Sequence, residues 1–363
     1  MTQEVALVIP EHHSFRRLQA VSLLLEEAAL AYGLDTLRVG TRGFMAGAKP
    51  AYADVGFQDT ISLETSKAAV RVANDRLMRK SALEVAGIRV PPSRRFGHRE
   101  VDEDDAVHYA AKFRRGVFVK PRLVETGRFR RVALTDSDAV RESFGDWRER
   151  SGNRATFIVE RRMFGSEYAF YVVGEDVVSI ARVGRGSRFE EIYRRGPDGF
   201  GVANSDVLSL AIEAFRALPR MPHGEVRIIC PGAHLDAERC TVVSVTPEIG
   251  LLQSSQPAAW SEHLAERMVA HAMRNDDLKM SDRSALLTAE FTMNEVADPD
   301  TLVEGVSRWF TKFGVKGTVK AGDREVSGTL TGTARLMTTF SELSQAGRFS
   351  KSRPQSTSLS RSR

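Results

Sequence analysis

Asn74-Asp75-Arg76-Leu77-Met78-Arg79-Lys80, then Ala86-Gly87-Ile88-Arg89-Val90-Pro91, then Val119-Lys120-Pro121, is the stretch on which the reading of this chain turns. Apolar residues at Val70, Ala73, Leu77, Met78, Ala82 and Val85 recur at helical spacing. Ser62 or Thr65 can cap that helix, and Gly87 ahead of Pro91-Pro92 stops it. Gly116 to Lys120 (GVFVK) predicts a short buried strand. Its last residue carries an ammonium to the mouth of a sheet, where a cation can neutralise phosphate charge.

Working outward, Thr156 to Glu160 (TFIVE) reads as the next strand. Tyr168 to Val173 and Val177 to Val183 form a hairpin through Gly174-Glu175-Asp176. A helix over Ser205 to Leu218 precedes strands Glu225 to Cys230 and Thr241 to Thr246, and Ala258 to Met273 is a further amphipathic helix. Upstream, Glu4 to Pro10 predicts a strand, Phe15 to Tyr32 a helix ending at Gly33, and Asp35 to Val39 a second strand. Downstream, Ala289 to Asn294, Thr301 to Phe313, Gly317 to Lys320, Glu325 to Leu330 and Ala334 to Leu343 read as a β-α-β-β-α unit.

The order D-R-x-x-x-K, A-G-I-x-V-P, V-K-P and V-E-x-x-x-x-G-x-E, the last from Val159-Glu160 to Gly165-Ser166-Glu167, resembles the ATP-grasp superfamily. The likeness is to the carboxylate-amine and peptide ligases of the glutathione synthetase, cyanophycin synthetase and D-alanine:D-alanine ligase group. It covers roughly Ser66 to Val183 and extends more loosely to Gly250. It implies an α/β ATP-grasp fold with an N-terminal αβ lobe and a small C-terminal appendage. It also implies ATP as cofactor. Lys120 and Arg76 would contact its phosphates, Glu160 would meet the adenine and Glu167 the ribose hydroxyls. The family's flap over the phosphates would follow Lys120, where Leu123 to Arg131 offers one glycine, Gly127, and the charges of Arg128, Arg130 and Arg131.

The resemblance further implies magnesium, held by an acid on one late strand and by E-x-N on the next, because hard cations take oxygen ligands. The matching positions are Arg227, Ser244 and Thr246. Glu225 and Glu248 are the carboxylates nearest to those positions and are the metal candidates. Arg227 could contact phosphate directly, and Arg182, ahead of the basic loop Gly184 to Arg188, could face an acyl phosphate. Two functions follow as expectations. One is an ATP-dependent carboxylate-amine ligase working through an acyl phosphate on small-molecule or peptide substrates. The other is a degenerate ATP-grasp protein that binds nucleotide or a partner without turnover.

The expected division is an N-terminal lobe over 1–62, ATP-grasp lobes over 63–274, a linker over 275–285, a small α+β domain over 286–346 and a disordered basic tail over 347–363. The small domain resembles acylphosphatases and reads as an interaction or substrate-presenting appendage, through which a protein partner could bind. The formal charge of +5 resides in that tail, since Arg348, Lys351, Arg353, Arg361 and Arg363 follow the last acid, Glu342. A neutral body argues against nucleic acid, and no apolar run suits a membrane span. Two cysteines in 363 residues fit a reducing, cytoplasmic setting better than a disulfide framework or a zinc site. His12-His13, Glu26-Glu27 and Asp104-Asp105 read as solvated polar pairs. A homo-oligomer is compatible with the sequence.

Overall fold

The computed structural model describes residues 17–48, 54–97, 100–124, 136–151, 156–184, 188–196, 199–201, 203–232, 236–250, 258–276, 278–279 and 286–361. The strand expected over Glu4 to Pro10, His12-His13, Arg128, Arg130, Arg131 and the centre of the Gly184 to Arg188 loop lie outside the described residues.

In chain order the elements begin with α1 (Arg17–Ala31), β1 (Asp35–Val39), β2 (Gly43–Gly47), β3 (Val55–Gln58) and β4 (Ile61–Ser62). There follow α2 (Lys67–Asn74), α3 (Arg76–Val85), β5 (Ser93–Phe96), α4 (Glu100–Ala110), β6 (Val117–Pro121), α5 (Ser137–Ser151) and β7 (Phe157–Arg161). Next come β8 (Ser166–Val173), β9 (Asp176–Val183), β10 (Phe189–Arg194), α6 (Ser205–Arg216), β11 (His223–Cys230), β12 (Thr241–Thr246) and α7 (Ala258–Asn275). The last are β13 (Leu287–Asn294), α8 (Pro299–Phe313), β14 (Lys316–Ala321), β15 (Glu325–Gly332), α9 (Ala334–Gln345) and β16 (Ser356–Arg361). The chain divides into two compact units, one of residues 1–64 with 249–363 and one of residues 65–248.

The first unit carries an eight-stranded antiparallel sheet in the order β14-β15-β13-β16-β1-β2-β3-β4. This corrects two expectations. The stretch expected as a disordered tail is ordered as β16, a central strand with Ser358 opposite Leu37 on one side and Thr292 on the other. Its alternation of Ser with Thr357 and Leu359 puts the latter two inward, fully buried, and main-chain pairing on both edges supplies the order that its polar composition hides. The segment 286–346 is likewise no separate domain. With β16 it completes a β-α-β-β-α-β unit in the strand order β14-β15-β13-β16, and β16 pairs directly with β1. Phe291, Trp309, Phe310, Phe340 and Phe349 fill its core.

A buried charge cluster lies between α1, β1 and α9. The Arg38 guanidinium donates to both Glu26 and Glu342, and all three side chains are fully buried. Thr36 donates to Glu26 at 3.0 Å, and Ser22 accepts from Arg38 at 3.2 Å. Glu342 Oε1 has no hydrogen-bond partner. Burial pushes the Glu342 carboxyl up to about 7; Arg38 opposes that shift and the negative charge of Glu26 adds to it. The expectation that Glu26-Glu27 only solvates a helix is therefore corrected, since Glu27 also pairs with Arg335 at 3.3 Å.

The second unit contains two antiparallel sheets, β5-β7-β6 and β10-β9-β8-β11-β12. Val117 and Val119 of β6 and Phe157 and Val159 of β7 bury one face of the small sheet against α4 and α5. That alternation leaves Phe118, Lys120, Ile158 and Glu160 on the opposite face. In the larger sheet Tyr168, Phe170, Val172, Ile180, Val226 and Ile228 pack with α6. Glu167, Glu225 and Arg227 accordingly lie on the other face.

The helix expected across Val70 to Val85 is two helices, capped by Ser66 rather than by Ser62 or Thr65. Asp75 breaks it. Its backbone is extended, and its carboxylate accepts from the N–H groups of Leu77 and Met78 at 3.0 and 3.2 Å and from Arg122 Nε at 2.8 Å. The break turns the stripe, so Met78 and Val85 are exposed while Leu83 is buried. The two cysteines form a disulfide, which corrects the expectation of free thiols. In the β11–β12 hairpin Ile229 lies opposite Thr241, which brings Cys230 and Cys240 to 4.4 Å between Cα atoms. Among the described residues no helix is long and apolar enough to cross a membrane.

Candidate functional site

Lys120 emerges from β6 with its ammonium paired to Glu160 on β7 and 5.2 Å from the centre of the Phe118 ring. Lys80 of α3 approaches from the other side. It donates to Ser93 Oγ at 2.6 Å and to the Pro91 carbonyl, and lies 4.0 Å from Glu160 Oε2. Burial pushes the Glu160 carboxyl up, but the charges of Lys120 and Lys80 prevail and hold it below the usual carboxylate range. Burial lowers the Lys80 ammonium, helped by Lys120 and opposed by Glu160 and Glu84.

Arg76 begins α3 directly after the Asp75 cap and donates to the carbonyls of Pro121 and Leu123, both at 2.7 Å. The guanidinium thus clips the helix to the end of the Lys120 strand. Arg79, one turn on, is buried and donates to the Ala73 carbonyl at 2.5 Å. Burial works to raise the Asp75 carboxyl, and Arg122 with the backbone N–H groups of Met78 and Leu77 holds it below its ordinary value.

The opposing wall is built on β8, β11 and β12. Arg227 Nε donates to Glu225 at 2.5 Å, its Nη1 to Glu167 at 3.1 Å, and its guanidinium carbon lies 5.5 Å from the Phe189 ring centre. Burial alone would lower the Arg227 pKa; the two carboxylates raise it well above its ordinary value. Ser244 and Thr246 of β12 lie beside Arg227 and Glu225 in register.

Arg76, Arg79, Lys120, Glu225, Arg227 and Thr246 border a cavity of about 220 Å³. A smaller recess of about 20 Å³ adjoins it, sharing Lys120 and bordered by Lys80 and Glu160. The structure thus brings together Arg76, Lys120, Glu160, Glu167, Glu225 and Arg227. It does not bring Arg182, which lies on the opposite face of β9, opposite Tyr168 in register, and pairs with Glu190 at the surface. Nor does Glu248 join them. Strand β12 ends at Thr246, the chain turns at Pro247, and the exposed Glu248 donates its backbone N–H to Thr246 Oγ1 at 3.2 Å. Glu248 is therefore not placed beside Glu225 as a metal candidate.

Magnesium does not fit this donor set. Glu225 is committed to Arg227, whose guanidinium puts a positive charge between the carboxylates, and among the described residues no group of three His, Cys, Asp or Glu converges. Phosphate oxygens do fit the cationic wall. Arg79 and Lys80 are absent from the site residues drawn from the sequence. Their signal was their spacing, three and four residues after Arg76 on one helix face.

No protein-family model matches the chain, and no curated protein matches it. Among solved structures, the RimK domain protein ATP-grasp from Sphaerobacter thermophilus is 20% identical with a TM-score of 0.42, over 56% of this chain and 69% of that one. D-alanine–D-alanine ligase from Bacillus anthracis is 13% identical with a TM-score of 0.43, over 59% of this chain and 71% of that one. The bifunctional glutathione synthetase from Pasteurella multocida is 14% identical with a TM-score of 0.43, over 71% of this chain and 44% of that one.

Proposed function

We propose that residues 65–248 form an ATP-grasp cleft that holds a nucleoside triphosphate, with side-chain cations rather than a divalent ion against the phosphates. The observation that carries this reading is Arg227. It sits where the resemblance calls for a metal-binding acid, and it pairs with Glu225 and Glu167. Around the two adjoining cavities Arg76, Arg79, Lys80, Lys120 and Arg227 face Glu160, Glu167 and Glu225. The surplus is cationic, which a polyphosphate complements.

A carboxylate-amine ligase acting on small-molecule or peptide substrates is the second reading. The same cluster favours it, because positive charge opposite a transferring phosphoryl group is what that step needs. The Arg227 guanidinium held between Glu225 and Glu167, which occupies those carboxylates, ranks it below binding without turnover. Isothermal titration of ATP in EDTA and in magnesium tests the first reading. Binding in EDTA that Arg227→Gln weakens about tenfold or more supports it, and binding that requires magnesium refutes it. ADP release from the wild type with a panel of acids and amino acids would restore the ligase.

A further inference from the structure

The wall that carries Arg227 is closed at one end by a covalent bond. Strand β12 is the edge of its five-stranded sheet, with β11 as its neighbouring strand. Their pairing falls into two parts. Glu225, Val226 and Arg227 lie opposite Thr246, Val245 and Ser244, whereas Ile228 and Ile229 lie opposite Val242 and Thr241. The register shifts between Arg227 and Ile228, so Val243 has no residue opposite it and the bulge cuts the ladder in two. Val243, Ser244 and Thr246 border the cavity that Arg227 and Lys120 share.

The disulfide between Cys230 and Cys240 ends the shorter part, immediately beyond Ile229 and Thr241. Two opposed pairs between a bulge and a loop have little cooperative strength of their own. On the outer side of β12 the Val242 N–H donates to the Arg89 carbonyl at 2.9 Å. Thr241 is 1% exposed, and its Oγ1 has no hydrogen-bond partner among the described residues. A buried hydroxyl without a partner favours any opening that admits water, and the disulfide opposes that opening. Both cysteines are buried, but Gly232, Asp236, Glu238 and Arg239 in the connection between them are exposed, so displacing that connection brings the sulfurs to solvent. The chain has two cysteines, so reduction and reoxidation return the same pair.

We propose that the Cys230–Cys240 bond is a redox control on the Arg227 wall: oxidised, it fixes β12 against β11; reduced, it lets β12 fray from Thr241 to the bulge at Val243 and loosens the edge of the cavity. The reductant is a dithiol. Its thiolate attacks one sulfur, its second thiol resolves the mixed disulfide, and it leaves as a disulfide, having passed two electrons and two protons to the cysteine thiols. The inference rests on the nucleotide reading only in naming a regulation of that cleft, and the loosening itself is measurable without nucleotide.

The full chain, kept free of denaturant, is compared before and after dithiothreitol. Carbamidomethylation read by intact mass is expected to label both cysteines after reduction and neither before it. Amide exchange over residues 241–246 should quicken about tenfold or more on reduction, while β5, β6 and β7 keep their rates. ATP affinity in EDTA should fall about fivefold or more and return on reoxidation. Cys230→Ser/Cys240→Ser should bind ATP as the reduced protein does and ignore dithiothreitol; reduction of the wild type serves should that variant misfold. Resistance to dithiothreitol in the folded protein, unchanged exchange over 241–246, faster exchange throughout the second unit as a purely structural staple would give, or equally tight ATP binding in both states would each overturn the proposal. If the oxidised protein binds no ATP, the nucleotide reading fails, and exchange over 241–246 then decides the redox control by itself.

Discussion

Glu342→Gln should change how the stability of the first unit responds to pH. The buried carboxyl titrates at about 7 in the folded protein against an ordinary 4.5, so the folded state keeps a proton that the unfolded chain has released. For a group raised in this way, the stabilisation is fully present below about pH 4.5 and is lost as the pH rises through about 7. At roughly 1.4 kcal/mol per pH unit, the wild type should lose about 2–3 kcal/mol between pH 5 and pH 8 from this group alone. The glutamine keeps an oxygen for Arg38, which retains Glu26, and it cannot ionise. Urea unfolding followed by the fluorescence of Trp260 and Trp309, both buried in this unit, measures the difference between variant and wild type at each pH. The variant should gain on the wild type by about 2–3 kcal/mol over that interval. A difference constant to within about 0.5 kcal/mol would refute the reasoning.

Deletion of the residues after Gly347 should remove the cooperative unfolding of the first unit or lower its midpoint by about 10 °C or more, because β16 and the buried Phe349 and Leu359 go with it; calorimetry decides, and an unchanged midpoint would contradict the sheet order. Asp75→Ala should cost the second unit about 1–2 kcal/mol in urea, through loss of the α3 cap and the Arg122 pair. Gly165→Ala should disrupt the packing of the β7–β8 connection on the end of β11: the backbone there has φ 136°, and a Cβ would lie 2.2 Å from the Cys230 carbonyl oxygen. Its soluble yield and thermal midpoint are the readouts. Lys120→Ala should weaken ATP binding by about 1.5–3 kcal/mol, measured by calorimetry in EDTA.

What the sequence made legible was local. The strand at Lys120, the hairpin from Tyr168 to Val183 and the stop at Gly87 all announce themselves by alternation or by backbone demands within a few residues. Strand parity was equally legible for Glu225 and Arg227, which lie two residues apart on one face. Parity also condemns Arg182, once its register opposite Tyr168 is known; the register itself is a long-range fact. Glu248 failed because the strand ends one residue before Pro247. The disulfide and β16 were hidden for a common reason. Pairing across a hairpin or across most of the chain depends on partners that composition does not identify, so a Ser- and Arg-rich segment reads as solvated when it is covered on both edges.

The position of β16 also orders events during synthesis. Residues 65–248 leave the ribosome as a complete unit, with every strand of their two sheets already made. The outer edge of β1 has to wait, since its partner Ser356–Arg361 is translated about three hundred residues later. Through that interval α1 and β1 present apolar surface and an open strand edge to whatever surrounds the nascent chain. A holding chaperone acting on residues 17–64 until the final strand arrives would therefore matter more for the yield of this protein than any slow step within its middle portion.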